Sequence, residues 1–184
     1  TASLLNADKA IGYGFELDSE FWATDDLVFG ASLSYNHTEL QDDTISVAGC
    51  GGGCTITDPL NSDGRVIIDG NSLPQSPEWI GNLNARWSQE IGEGELYIYT
   101  DWSYRSEVSF FLYESKEFTG DAIMEGGLRV GYEWFSDDSE YEIAAYARNI
   151  LDEEKLTGAI DFNNLTGYTN EPRFFGVEFK ANFF

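Results

Sequence analysis

The chain ends in RFFGVEFKANFF, residues 173–184, and this stretch decides the fold. From Phe175 onward every second residue is apolar, and glycine, glutamate, lysine and asparagine lie between them. Alternation with a period of two predicts a β-strand with one apolar and one polar face. Such a strand at a chain terminus frays or aggregates unless something covers its apolar face and pairs its edge. The rest of the sequence must therefore indicate what covers it.

Composition excludes several classes of protein. The 184 residues suffice for one domain with a sizeable core. The 33 Asp and Glu residues against 10 Lys and Arg give a net charge of −23, which repels phosphates and excludes nucleic acid as a partner. Aromatic residues make up 15% of the chain, which argues against disorder. The apolar runs are too short for a transmembrane helix, so the sequence predicts β structure.

Seven segments alternate apolar and polar residues, and the connections between them are short, long, short, long, short and long. The segments run over about residues 11–23, 27–39, 78–89, 95–107, 122–134, 141–150 and from 175 to the end, and the long connections over about 40–77, 108–121 and 152–170. Strands of ten or more residues with short turns at one end and long loops at the other are typical of outer-membrane barrels. Lipid then covers the apolar face, and barrel closure pairs the edges. The predicted fold class is all-β, an antiparallel transmembrane β-barrel wall of about seven strands.

Charged residues give an independent check on this wall. Five of the ten basic residues fall on the polar faces of the predicted strands, among acidic residues. We expect a network of opposed charges inside the barrel, and the alternative is that these charges line a lumen and hold whatever fills it. The candidate lumen-facing or plug-facing charges are Arg86, Asp101, Arg105, Glu125, Arg129, Glu142, Arg148, Glu178 and Lys180.

Cys50 and Cys54, in GCGGGC, are the only cysteines. Two thiols are too few for a metal site, and the spacing differs from that of a redox C-x-x-C motif. We therefore expect a local disulfide formed in an oxidising compartment. The acidic loop residues, such as Asp42 and Asp43, are expected to be solvated rather than to bind Ca²⁺, because their spacing matches no calcium loop. No metal and no cofactor is predicted.

An enzymatic role is not predicted. Acyl hydrolysis needs a serine and histidine pair, and the sole histidine, His37, lies where a strand enters a loop. No pair of carboxylates stands out from the acidic surface as a general acid and base.

Five stretches together carry a family resemblance. LPQSPEW, DWSYRSE, GGLRVGYEW, EIAAYARNILDEEKL and GYTNEPRFFGVEFKANFF, in this order, resemble the C-terminal third of a TonB-dependent receptor. The most telling piece is residues 148–154, which resembles the Asn-Leu-x-Asp motif at the outer end of the penultimate barrel strand.

This resemblance implies a 22-stranded barrel in the outer membrane of a Gram-negative bacterium, closed by an N-terminal plug domain. Residues 1–184 would then be the C-terminal segment of the barrel, with the plug, the TonB box and the remaining strands supplied by another chain or by a missing N-terminal part. The receptor would import a scarce nutrient, a siderophore, vitamin, oligosaccharide or peptide, driven by the TonB–ExbB–ExbD complex. The barrel-assembly machinery and outer-membrane lipid would be further partners.

Two sets of residues gain a role from the resemblance. Aromatic residues in the long loops are candidates for contact with the ligand, and the alternative is that they pack loop against loop: Phe110, Phe111, Tyr113 and Tyr168. The alternating apolar residues at the end of the chain are expected to form the assembly signal: Phe175, Val177, Phe179, Phe183 and Phe184. The register of that signal ends at Phe183, one residue before the terminus.

A different function remains open from the sequence. The chain alternatively forms a self-contained small outer-membrane barrel with a structural or adhesive role. Seven strands are an odd number for such a barrel, and neither residues 1–10 nor the first long loop alternates well enough to supply an eighth.

Overall fold

The computed structural model describes residues 5–136, 138–162 and 164–184. Its regular secondary structure consists of strands and a single-turn 3₁₀ helix over Lys116–Phe118. The strands are β1 (Ala10–Thr24), β2 (Leu27–Leu40), β3 (Ser46–Val47), β4 (Val66–Ile67), β5 (Trp79–Ile91), β6 (Gly94–Arg105), β7 (Val108–Ser109), β8 (Thr119–Gly120), β9 (Ile123–Ser136), β10 (Ser139–Arg148), β11 (Leu156–Asp161), β12 (Leu165–Thr169) and β13 (Phe174–Phe183). Within the described ranges, no helix has the length and apolar character to cross a membrane.

Seven of the strands form one antiparallel sheet in the order β1, β2, β5, β6, β9, β10, β13. Their bounds agree with the seven predicted segments to within two residues at each end. The prediction of an all-β, antiparallel wall of seven strands is therefore confirmed. In the described part of the chain, β1 and β13 lie at opposite edges of the sheet and do not pair with each other, so the sheet is open.

The strand register sorts the side chains onto an apolar face and a charged face. On β13, Glu178 lies opposite Ala144 and Lys180 opposite Glu142, so both charges share a face with the acids of β10. A slip of one residue would have reversed this arrangement. Phe175, opposite Ala147, lies on the apolar face as the terminal alternation predicts.

Aromatic rings form a belt at each end of the apolar face. At the end of the sheet near the long loops, the rings of Tyr35 and Trp79 lie 4.7 Å apart. Near the short turns, Trp134 stacks on Tyr141 with 5.4 Å between ring centroids. Aromatic belts of this kind mark the two interfaces of a membrane, so the apolar strip between them has the form of a lipid-facing surface.

The three long connections fold together over one end of the sheet. We name them loop 1 (41–78), loop 2 (106–122) and loop 3 (149–173). They contain the short pairs β3–β4, β7–β8 and the hairpin β11–β12. Their shared core, here called the loop cluster, consists of Leu40, Val47, Val66, Ile68, Val108, Phe110, Tyr113 and Phe118. The main hydrophobic core of the described residues therefore lies in the loops and not on either face of the sheet.

Candidate functional site

Arg129 on β9 stands at the centre of the charged face. Its guanidinium donates hydrogen bonds to the carboxylate of Glu142 on β10 and, over 3.1 Å, to Glu178 on β13. Its Nε donates to the hydroxyl of Tyr97 on β6 over 2.6 Å. One side chain therefore connects four consecutive strands of the sheet.

Lys180 neutralises the same cluster. Its Nζ lies 2.9 Å from Glu142 and 3.0 Å from Glu178. Two bases thus face two acids, which matters because Glu142 is buried. A buried charge costs several kcal/mol unless it is paired and hydrogen-bonded, so this neutrality allows the cluster to exist.

Tyr97 reaches Glu142 only because Gly131 lies between them. Tyr97 on β6 is opposite Gly131 on β9, and its ring crosses the bare backbone there. Its hydroxyl then donates to the Glu142 carboxylate on the next strand. The sequence analysis missed Tyr97 as a member of this network, although its position on the polar face opposite a glycine is visible once the register is known.

Arg86 extends the network toward the short turns. Its guanidinium pairs with Glu95 over 3.0 Å and lies 3.7 Å from Glu133. It also lies 4.1 Å from the centre of the Tyr97 ring, on its face, which is a favourable cation–π position. Arg86, Arg129, Glu142, Glu178 and Lys180 are therefore part of one connected surface.

Asp101 and Arg148 form a second, separate pair on the charged face. Nη1 of Arg148 donates to both carboxylate oxygens of Asp101, over 3.0 and 2.9 Å. The two residues belong to β6 and β10, and they meet across Gly127 of β9. A Cβ at Gly127 would come within 2.7 Å of Asp101 and 2.8 Å of Arg148, so glycine leaves the room for this contact.

Arg105 and Glu125, the remaining predicted lumen charges, contact loop 3 instead. Nη2 of Arg105 lies 3.5 Å from the carbonyl oxygen of Leu156. The Glu125 carboxylate accepts a hydrogen bond from the side-chain amide of Asn170 over 2.8 Å. These two wall residues therefore help to hold loop 3 over the upper rim of the charged face.

The loop aromatics differ from one another in exposure. Phe110 and Tyr113 belong to the loop cluster and are only 4% and 5% exposed, and Phe111 stacks on Tyr113. The buried rings of Phe110 and Tyr113 offer little surface to a ligand, whereas Phe111 is only partly buried against the loop cluster. Tyr168 on β12 is 50% exposed and remains a candidate for contact with a ligand.

One carboxylate joins all three loops. Oδ1 of Asp161 in loop 3 accepts a hydrogen bond from the backbone N–H of Gly51 in loop 1 over 2.9 Å. Its Oδ2 accepts from the Tyr113 hydroxyl in loop 2 over 2.7 Å. Burial and the neighbouring Asp161 carboxylate raise the pKa of the Tyr113 hydroxyl, so it stays protonated and donating.

Loop 1 and loop 2 are joined by two further carboxylates. Glu117 accepts hydrogen bonds from the backbone N–H and the hydroxyl of Thr55, over 2.7 and 2.8 Å. Asp58 accepts from the backbone N–H of Glu114 over 2.6 Å. Burial and the nearby carboxylates of Asp58 and Glu107 raise the pKa of Glu114. The three loops therefore form one cap, with polar contacts around an apolar centre.

The predicted disulfide between Cys50 and Cys54 is confirmed. Both cysteines pack against the loop cluster, and their bond closes the five-residue ring that contains Gly51. The disulfide therefore constrains the segment whose backbone meets Asp161.

The Asn-Ile-Leu-Asp turn after β10 has a structural explanation. Asn149 has a φ of 46° and is buried. Its side-chain amide donates to the carbonyl oxygens of Glu153 and Glu171, over 2.8 and 2.9 Å, and its Oδ1 accepts from the Glu153 N–H. A single side chain thus ties the beginning of loop 3 to its end, a role that the sequence motif alone did not suggest.

The residues of the expected assembly signal lie along an exposed edge strand. Phe175, Val177, Phe179 and Phe183 are all exposed on the apolar face of β13. Phe184 follows the strand, and its N–H donates to the carbonyl oxygen of Asp138 over 3.0 Å. The terminus is therefore attached to the short turn before β10.

In residues 5–136, 138–162 and 164–184 there is no group of three or more His, Cys, Asp or Glu side chains arranged to hold a metal ion. Among the acids at 42–43 and 152–154, Asp42 and Asp152 contact other residues of the chain through their carboxylates. Asp42 accepts hydrogen bonds from the N–H of Asp8 and the hydroxyl of Thr44, and Asp152 pairs with Arg173.

A two-faced wall with aromatic belts, a charged face whose side chains pair across the strands and long loops folded over one end defines an outer-membrane β-barrel protein. Residues 1–152 match the family model described as TonB dependent receptor-like, beta-barrel. The chain belongs to this family, whose members are transporters of the Gram-negative outer membrane and not enzymes, so the predicted family, localisation and lack of enzymatic activity are confirmed.

Three solved structures share the fold. The ferric yersiniabactin uptake receptor FyuA from Yersinia pestis superposes with a TM-score of 0.68 at 14% identity, over 97% of this chain and 24% of that one. The siderophore receptor PiuA from Acinetobacter baumannii gives 0.64 at 15%, over 94% and 21%. BauA, the ferric preacinetobactin receptor of the same organism, gives 0.50 at 11%, over 94% and 26%. The chain thus spans about a quarter of the length of these receptors.

Proposed function

We propose that this chain is part of a TonB-dependent transporter that imports a ferric siderophore across the outer membrane. The observation that carries the proposal is a charged wall lying beneath a single cap built from all three long loops, in a chain of the TonB-dependent receptor family. The three structural neighbours bear siderophore receptor names, which supports the siderophore class over a vitamin, oligosaccharide or peptide.

In this proposal the wall residues perform no chemistry. The cluster around Arg129 and the pair of Asp101 with Arg148 give the lumen a rigid, charge-balanced surface against which a plug domain rests. The long loops face outward, and the exposed ring of Tyr168 offers a planar surface for stacking on an aromatic ligand group. Energy comes from the TonB–ExbB–ExbD complex acting on the plug.

Uptake by the full receptor tests the proposal. The receptor is expressed in a Gram-negative host that lacks its own siderophore receptors, and the host is given ⁵⁵Fe-labelled siderophores, labelled cobalamin and labelled maltodextrins in separate assays. We expect uptake of at least one ferric siderophore and loss of that uptake in a tonB deletion strain. Uptake of cobalamin or maltodextrin alone, or uptake that persists without TonB, would contradict the proposal.

The alternative of a self-contained small barrel gains no support. In the described residues the two edge strands remain unpaired with each other, whereas a closed seven-stranded barrel requires that pairing.

A further inference from the structure

Loop 1 contains a turn of three glycines closed by the disulfide, here called the glycine turn (residues 50–54). Its first glycine, Gly51, donates its N–H over 2.9 Å to Asp161 at the end of β11. A Cβ on Gly51 would lie 2.9 Å from the carbonyl oxygen of Phe162, closer than Cβ atoms approach backbone in proteins. The turn therefore meets the tip of the β11–β12 hairpin at a place where only a bare backbone fits.

The second glycine of the turn meets the other strand of the hairpin. A Cβ on Gly52 would lie 3.2 Å from Cδ2 of Leu165 and 3.3 Å from the carbonyl carbon of Asn164. Leu165 is paired with Asp161 across the hairpin, so these two residues share one face. The glycine turn therefore lies against both strands of the hairpin at its tip.

The opposite face of the hairpin carries the exposed ring of Tyr168. Since side chains alternate along a strand, the pairs Gly158–Tyr168 and Ile160–Thr166 lie on the face opposite to Asp161. A Cβ on Gly158 would lie 3.7 Å from Cδ2 of Tyr168, so the ring lies beside a bare backbone. Tyr168 and Ile160 are 50% and 44% exposed. The hairpin is thus held from one face and presents an aromatic and apolar surface on the other.

The disulfide limits the conformations of the glycine turn. Glycine adopts positive and negative φ about equally readily, so three in succession would make an open chain very flexible. In the fold Gly53 has a φ of 78°, which other residues rarely adopt. The bond between the two cysteines restricts this freedom, and it keeps Gly51 and Gly52 where they meet the hairpin.

We propose that the disulfide-closed glycine turn positions Tyr168 for contact with the ferric siderophore, without touching the siderophore itself. This inference rests on the proposed function. A hairpin already fixed from one face offers its ring at a defined place, so binding does not have to order it. Cys50, Gly51, Gly52 and Cys54 are therefore positioning residues for ligand binding, and Ile160 is a second contact beside Tyr168.

Hydrogen exchange of the full receptor tests the position of the hairpin. The variants are Gly51→Ala and the double variant Cys50→Ser with Cys54→Ser. We expect faster amide exchange at residues 158–168 in both, measured by mass spectrometry. Exchange at residues 149–153 should stay as in the wild type, because the Asn149 side chain holds that end of loop 3 independently.

Uptake kinetics test the consequence for the ligand. The probe is the ⁵⁵Fe complex of the siderophore that the wild-type receptor takes up. We expect the KM of uptake to rise about threefold or more in both variants, because binding must then order the hairpin, while Vmax per receptor stays unchanged. Gly49→Ala is the matched control in the same loop: its Cβ would meet Val66 at an ordinary 3.4 Å, and both readouts should match the wild type.

Folding of each variant is checked by its heat-modifiable mobility on an SDS gel, and Gly51→Ala retains the disulfide if the double variant fails to fold. Wild-type exchange at residues 158–168 in both variants, or a lower Vmax with an unchanged KM, would overturn the inference. Faster hairpin exchange with an unchanged KM would overturn the role in ligand binding alone. A wild-type receptor that takes up no siderophore would instead overturn the proposed function, and the ligand role with it.

Discussion

The Asp161 carboxylate accepts a hydrogen bond from the Tyr113 hydroxyl over 2.7 Å, although the two residues are 48 positions apart in sequence. Its other oxygen accepts from Gly51, 110 positions away. The three long loops therefore meet at one side chain, beside the apolar cluster that they share. This arrangement predicts that a substitution at the shared side chain destabilises all three loops together.

Asp161→Ala should loosen the cap. The Tyr113 hydroxyl is then left buried without its acceptor, at a cost of about 1–3 kcal/mol. We expect faster amide hydrogen exchange at Gly51 and around Tyr113 as well as near the substitution, measured by mass spectrometry on the full receptor. Asp63→Ala, at an exposed position in loop 1, is the matched control and should leave these rates unchanged. Faster exchange confined to loop 3 would contradict a shared joint.

Acid should weaken the cap through Asp42 and Glu117. The N–H of Asp8 and the hydroxyl of Thr44 lower the pKa of Asp42, and the N–H and hydroxyl of Thr55 lower the pKa of Glu117. Carboxyls with a lowered pKa stabilise the folded state above their ordinary pKa values of 3.8 and 4.5, and this contribution is lost as pH falls through the lower folded values.

We therefore expect loops 1 and 2 to become sensitive to pepsin as pH falls below about 4, while at neutral pH the loops resist other proteases. In Asp42→Asn with Glu117→Gln, the loops should be weakened at neutral pH already and should change less on acidification. An acid sensitivity identical to that of the wild type would exclude these two carboxyls as its source.

Gly131→Ala should destabilise the wall. The new Cβ would lie 2.5 Å from the Tyr97 ring, so the ring must move and its hydrogen bond to Glu142 is lost. Overpacking of this kind costs about 1–3 kcal/mol, and the temperature at which the barrel loses its heat-modifiable mobility should fall. Gly81→Ala is the control, because its Cβ meets nothing nearer than the Ser32 carbonyl oxygen at 3.8 Å. Equal effects at the two glycines would argue against the crossing of Tyr97 as the cause.

Substitutions of Asn149 should separate backbone strain from side-chain bonding. Asn149→Gly keeps a residue that adopts a φ of 46° freely but removes the amide, whereas Asn149→Ala removes the amide and adds strain. We expect both variants to increase hydrogen exchange at Glu153, with the alanine variant less stable by about 1 kcal/mol. A glycine variant that matches the wild type would show that the amide contacts contribute little.

Removal of the disulfide should affect one end of the cap. On the chain-entropy model, closing the five-residue ring between Cys50 and Cys54 contributes about 2 kcal/mol. The double serine variant should therefore expose residues 49–55 to proteolysis. A thiol reductant should have the same effect on the wild type and none on the variant, which serves as the control for other actions of the reductant.

The wall could be predicted from the sequence because the face on which each side chain lies is set by the alternation of residues within its own strand. An alternation such as that from Phe175 to Phe183 fixes both the strand and the face of each side chain, so the register of Glu178 and Lys180 followed directly. The ion pairs were harder to foresee, because Arg148 meets Asp101 across a whole intervening strand, and only the strand order and the absence of a side chain at Gly127 reveal that contact.

The cap could not be predicted, because the buried residues of the loop cluster follow no regular spacing along the sequence. Ile68 and Phe118 are almost fully buried, yet they lie in loops rich in glycine and polar residues and are 50 positions apart. The two-residue strands β3, β4, β7 and β8 are too short for an alternating pattern. For Phe110 and Tyr113 the sequence left both ligand contact and packing loop against loop open, because aromatic residues in a loop do not reveal from sequence whether a neighbouring loop covers them.

The base of loop 3 is held in part by an uncharged group. Asn149 holds the carbonyl oxygens of Glu153 and Glu171 with its side-chain amide, whereas the ion pairs of the wall depend on full charges. Hydrogen bonds from a side-chain amide to carbonyl oxygens do not titrate in the physiological range, and Debye screening does not weaken them, because neither partner carries a net charge. This part of the attachment of loop 3 is therefore insensitive to salt and pH, whereas the Asp152–Arg173 ion pair, which joins the same two ends of the loop, is sensitive to both.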